Sequence, residues 1–196
     1  MQFNLSEITE LMKGRRSVAP EFYSKRKVHK EQVELLLNNA IWAPNHGMTQ
    51  PWRFVVINGE AKEKLALIAH SAMVEGKSSE EINPMKVQRM VDRIGAASVI
   101  IAIIHHRDRT SKVPEWEEVA AIGAAVQNLH LSAHAYGLAG FWATPGILHH
   151  PSLVHFLSLE EGQTCLGLFY VGYPLNHELK SHRKPIEYVA KWKWNE

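Results

Sequence analysis

One cysteine in 196 residues, Cys165, rules out any intrachain disulfide. It stands in an apolar run and reads as a buried, inert thiol. Charge of one sign is also scarce. The formal net charge is +2, and the cations are scattered instead of striped, which argues against nucleic acid as a partner. Long apolar runs are missing. The longest largely apolar stretch, Ala96 to Ile104, falls far short of a membrane span. The N-terminus carries Glu7 and Glu10 and no apolar segment of signal-peptide length. A cytoplasmic setting is the expectation.

Several catalytic signatures are absent as well. There is no Walker-type phosphate loop, and Gly137 to Gly140 lacks dinucleotide-fingerprint spacing. No Gly-x-Ser-x-Gly elbow occurs. The chain does hold twelve histidines, and His130 and His134 share a helical face at a spacing of four. No glutamate follows His130 as a zincin requires, and no cysteine pair adds ligands, so no metal is expected.

What is present suits a single domain spanning 1–196, with 45% hydrophobic and 21% charged residues. Asn4 precedes Leu5, Ile8, Leu11 and Met12 at helical spacing, and Gly14 is expected to end that helix in a left-handed conformation. A second helix is predicted over Lys30 to Trp42, stopped by Pro44. Trp52 to Ile57 reads as a strand, Glu60 to Glu75 as a helix, Gly76 to Pro84 as a polar connection, and Met85 to Arg93 as a further helix. Ala97 to Ile104 reads as a core strand, and Glu115 to Tyr136 as the longest helix, ended by Gly137. Its small residues, Ala120 to Ala125, suit close helix packing, so it is expected to be central. Ala139 to Trp142 and Cys165 to Tyr173 read as strands. Helices and strands mix without strict alternation, which favours an α+β layer architecture over a doubly wound sheet.

Three polar runs stand out against this background. Gly14-Arg15-Arg16-Ser17 offers two rigid donor forks and a hydroxyl, which suit an anion with a planar body. Ala43-Pro44-Asn45-His46-Gly47-Met48-Thr49-Gln50-Pro51-Trp52 is a polar loop stiffened by two prolines. Arg183-Lys184-Pro185 is again cationic. Read alone, each run also fits a solvated surface or an ordinary loop. Ser17 fits a turn cap, and Trp142 to Gly146 fits a plain strand-to-helix turn.

Together with Glu117-Glu118 and Tyr136-Gly137-Leu138-Ala139-Gly140-Phe141-Trp142, these runs resemble the FMN-dependent nitroreductase family, in particular its small, compact branch. The resemblance covers about Leu5 to Val189. It implies a mostly antiparallel central sheet between helices, in a homodimer with exchanged C-terminal arms and flavin sites at the interface. It implies FMN as cofactor, NADH or NADPH as electron donor, and nitroaromatic or quinone-like acceptors used by a ping-pong mechanism. The implied flavin ligands are Arg15, Arg16, Ser17, Arg183 and Lys184 around the phosphate and pyrimidine edge. Ala143, Thr144, Pro145 and Gly146 would flank N5, and Pro44, Asn45, His46 and Gln50 would reach across the dimer. Met48 stands where many members place asparagine, which shifts the polar role in that loop to His46. No side chain is required as a general base, because the flavin carries the chemistry. The same fold also accommodates a specialised dehydrogenation or reductive dehalogenation, or a flavin-binding sensor without turnover.

Overall fold

The computed structural model describes residues 3–110, 112–175 and 181–194. Four strands form one sheet in the order β1-β2-β4-β3, every neighbouring pair antiparallel. They are β1 (Trp52–Ile57), β2 (Val99–His106), β3 (Ala139–Ala143) and β4 (Gln163–Gly172). The helices are α1 (Leu5–Gly14), α2 (Lys30–Ala40), α3 (Glu60–Val74), α4 (Pro84–Ala96), α5 (Glu115–Ala135) and α6 (Pro151–Phe156). This is the α+β architecture that the mixed element order predicts.

Strand alternation sorts the core into two layers. Ile100, Ala102, Leu168 and Tyr170 face one side, where they pack with Leu65 and Ala69 of α3, Ile94 of α4 and Leu153 of α6. Ile101, Ile103, Phe169 and Val171 face the other, against Leu36 of α2 and Ile122, Ala125 and Leu129 of α5. β2 and β4 are therefore covered on both faces, which explains why they read as continuous apolar runs. Each such isoleucine or leucine contributes on the order of 2 kcal/mol by leaving water.

Several boundaries differ from expectation for identifiable reasons. Gly14 is the last helical residue, and the helix ends in an extended Arg15 (φ −60°, ψ 130°) instead of a left-handed glycine. The glycine also lets His134 lie close: a Cβ would stand 2.9 Å from His134 Nε2, and that exposed ring would have to turn aside. α2 stops at Ala40, two residues early, because Ile41 and Trp42 form the turn into the proline loop. α4 runs on to Ala96 and β2 begins at Val99. α6 has no counterpart in the sequence reading; it starts at Pro151, with His150 Nδ1 accepting from the Ser152 N–H. Gly137 does end α5 in a left-handed conformation (φ +77°), with the Leu138 N–H bonded to the Ala133 carbonyl.

Candidate functional site

α1 delivers Arg15, Arg16 and Ser17 to the edge strand β3. Ser17 pairs with Gly140 as a parallel bridge, and the Val18 N–H donates to the Gly140 carbonyl. Ser17 is thus extended backbone with an exposed side chain, not a turn cap. The close passage needs Gly140 bare, because a Cβ would stand 2.8 Å from His130 Cδ2 and nearer still to Phe169 Cζ.

Arg15 is fixed from behind. Its Nη1 donates to His130 Nδ1 at 2.8 Å, and His130 packs edge-on to Phe169 with ring centroids 4.7 Å apart. Burial first, and the Arg15 charge second, push the His130 pKa down to about 4. The ring is therefore neutral at pH 7, with Nδ1 free to accept. Its Nε2 and the Arg15 Nε are buried without a partner among the described residues. Burial, then the charges of Arg16 and Arg183, push the Arg15 guanidinium below its ordinary pKa. Three arginines from two distant segments thus converge. Arg16 and Arg183 also line one cavity of about 410 Å³ with Lys13 and Ser181. Among the described residues no carboxylate pairs with Arg15 or Arg183. A dianion would relieve this cationic crowding.

Lys184 lies apart from that cavity's walls, with its Nζ 5.7 Å from the centre of the Tyr188 ring. Ala143 ends β3, and Pro145 and Gly146 line a second cavity of about 360 Å³ against α3 and α4. Thr144 is exposed between them.

The proline loop sits elsewhere. Pro44, Asn45 and His46 line a third cavity, of about 380 Å³, against Trp116, Glu117 and Ala120 at the start of α5. The loop is bent hard: Gly47, Met48 and Gln50 all have positive φ (63°, 53° and 46°). Its polar side chains hold that bend. Asn45 Oδ1 accepts from the Gln50 N–H at 2.9 Å, and His46 Nδ1 meets Glu117 Oε2 at 2.6 Å. Asn45 and His46 therefore spend one polar group each inside the chain. Trp52 is buried in the core, whereas Trp42 is 84% exposed.

α5 connects these places. Glu117 holds the loop and His130 holds Arg15, thirteen residues further on, which is about 20 Å along the helix axis. The sequence reading missed His130 as a site residue. Its spacing to His134 suggested a shared face, and that face exists, but it is turned to Gly14 and Arg15. No cluster of three His, Cys, Asp or Glu side chains among the described residues is placed to hold a metal ion. No helix among them is long and apolar enough to cross a membrane.

The profile of the nitroreductase family matches residues 12–173. The chain belongs to the nitroreductase family. The candidate NAD(P)H nitroreductase YdjA of Escherichia coli (strain K12) is 30% identical over 145 residues, covering 74% of this chain and 76% of that one. The nitroreductase-like family protein of Bacillus cereus superposes with a TM-score of 0.82 at 26% identity, covering 98% of both chains. A candidate nitroreductase of Desulfovibrio desulfuricans, solved in complex with FMN, superposes with a TM-score of 0.73 at 26% identity, covering 99% of this chain and 100% of that one. The matched span takes in Arg15 to Ser17, the proline loop and β3, but stops short of Arg183 and Lys184.

Proposed function

We propose that the protein is an FMN-dependent oxidoreductase that passes electrons from NADH or NADPH to nitroaromatic or quinone-like acceptors. The carrying observation is the convergence of Arg15, Arg16 and Arg183, with Arg15 held by a neutral His130 and by no carboxylate among the described residues. The phosphate and the pyrimidine edge of FMN are the two parts of one ligand that such a cluster suits. When bound, FMN would accept two electrons from a reduced nicotinamide and deliver them to an electron-poor acceptor.

The chain's own part is binding, orientation and tuning. Arg183 and Arg16 would neutralise the phosphate, with Lys184, next in the chain, as a further charge on turning from Tyr188. Arg15 would stabilise negative charge on the pyrimidine edge, and the exposed Ser17 hydroxyl would add a hydrogen bond. Residues 143–146 leave β3 with a proline and a glycine, which permits close backbone approach to N5. Donor and acceptor would occupy the same space against Pro145 and Gly146. They cannot bind together there, so ping-pong kinetics are expected.

The proline loop supports a dimer. It lies about 20 Å along α5 from His130, more than one tricyclic ring can bridge. Pro44, Asn45, His46 and Gln50 would therefore serve the flavin of a second copy. The tail bears exposed Tyr188, Trp192 and Trp194, which would be covered in the same assembly by arm exchange. Each copy would act as one domain, in the cytoplasm, with Cys165 a buried thiol.

The experiment is a visible spectrum of the purified protein, followed by initial rates with NADH or NADPH and a nitroaromatic or quinone. Bound flavin and parallel double-reciprocal lines are expected. A colourless protein that fails to take up added FMN refutes the flavin reading, and intersecting lines refute the shared space.

A further inference from the structure

The cavity beside Pro145 and Gly146 has a wall that the flavin reading does not use. α4 presents Lys86, Arg89 and Arg93 to it, at positions i, i+3 and i+7, which lie on one helical face. Lys77, just beyond the end of α3, faces the same space. Met73 and Met90 provide an apolar, adaptable floor between the cations.

The four cations are not equally free. Arg93 Nε is paired with Glu21 Oε1 at 2.8 Å, and its guanidinium lies over the Phe141 ring. Lys77 Nζ donates to the Met73 carbonyl at 2.8 Å. Lys86 and Arg89 are exposed, and no carboxylate of the described residues pairs with either. Of the acids close by in the chain, Glu75 pairs with His150, Glu81 with Ser78, and Asp92 with Gln88, while the exposed Glu80 pairs with none of the four cations.

Helix energetics do not account for this placement. Lys86 is in the first turn of α4, and Arg89 follows in the second. The N-terminal end of a helix favours negative charge, yet that first turn holds no acidic residue. The cations stand where they oppose the helix dipole, and what they gain instead is a shared view of the cavity.

We propose that Lys86 and Arg89, backed by Lys77 and Arg93, capture an anionic group, a carboxylate or a phosphate, on the planar substrate that packs against Pro145 and Gly146. On the reading that residues 143–146 flank the flavin, that substrate is the acceptor or the nicotinamide donor, and its charged end points toward α4 while its ring meets the cofactor. The enzyme then selects by charge as well as by electron affinity.

The test uses Lys86→Gln/Arg89→Gln, two exposed positions where the charge is removed and a polar side chain is kept, in the protein as purified. Calorimetry compares 4-nitrobenzoate with nitrobenzene. The ratio of the two affinities is expected to favour the carboxylate in the parent protein and to fall about tenfold in the double variant. It should fall similarly in the parent at about 1 M salt, where the screening length is about 3 Å. Initial rates with NADPH, NADH and the phosphate-free dihydronicotinamide riboside locate the charge. A KM rise confined to the phosphate-bearing donors puts the anion on the donor, and a loss confined to 4-nitrobenzoate puts it on the acceptor. Charge-blind binding of acceptors and donors alike, unchanged by the substitutions, overturns the proposal. FMN uptake and turnover of nitrobenzene are read separately. Their absence refutes the flavin reading, whereas the calorimetric ratio still tests the cationic wall.

Discussion

His130 makes folded stability fall with acid in a defined window. Burial and the adjacent Arg15 bring its pKa from 6.5 to about 4. The unfolded chain therefore binds a proton that the folded chain refuses. Stability from this group is fully present above pH 6.5 and is lost as pH falls toward 4. A displacement of about 2.5 units at 1.36 kcal/mol each is roughly 3 kcal/mol, with a slope of up to about 1.4 kcal/mol per pH unit inside the window. His134, whose pKa burial and then Arg15 and Arg16 also lower, contributes in the same direction. Carboxylates add their own acid sensitivity, so the measurement must be a difference. His130→Asn supplies it: the amide oxygen can stand near the Nδ1 position and accept from Arg15, but it does not titrate. Urea unfolding of both proteins at several pH values from 7.5 to 4.5 is the assay, followed by tryptophan fluorescence. The variant is expected to be less stable at pH 7, because it leaves space beside Phe169. Its stability should then fall less steeply, so that the gap closes as pH drops. Curves that stay parallel across the window would show that His130 is not buried neutral against Arg15, and the account of how Arg15 is held would fail.

Three further outcomes are expected. Arg15→Ala should weaken FMN binding by on the order of 2 kcal/mol, roughly thirtyfold, in a flavin-fluorescence titration, with Arg183→Ala milder because Lys184 is adjacent. Gly140→Ala should cost about 1–3 kcal/mol in urea unfolding, since the new methyl meets Phe169 and His130, and it should lower FMN affinity by displacing the His130 ring. Glu118 is 1% exposed and accepts from His105 Nε2 at 2.8 Å and Arg107 Nη1 at 2.7 Å. Glu118→Gln should destabilise by about 3 kcal/mol in the same assay, because it strips the counter-charge from a buried cluster.

The layers were readable in the sequence because burial imposes period. β2 and β4 are covered on both faces and carry unbroken apolar runs, and α2 and α5 show the stripes that meet them. Cys165 declared its burial by its neighbours and is 1% exposed. Local chemistry was readable where partners are close in the chain, as at Asn4, whose side chain accepts from the N–H groups of Ser6 and Glu7. What failed is non-local. Gly14 reads as a helix terminator and does end α1, but its contact with His134, 120 residues away, leaves no local mark. Arg15 looks like a surface charge until His130, 115 residues on, is seen to hold it. The proline loop announced its polarity but not its bond to Glu117, 71 residues downstream. α6 is too short at six residues for a periodic pattern to register.

The span of α5 between Glu117 and His130 carries a genetic consequence. If each flavin takes its arginines from one copy and its proline loop from the other, then each chain owns halves of two different sites. A chain stripped of Arg15, Arg16 and Arg183 together and a chain broken in the proline loop are both expected to be inactive alone. Unfolded together and refolded as a mixture, about half of the dimers pair one of each, and in these one site combines both intact halves while the other combines both defects. Two dead proteins would then regain about a quarter of the parent's sites. A protein whose arginines and loop served the same flavin within one chain would regain none.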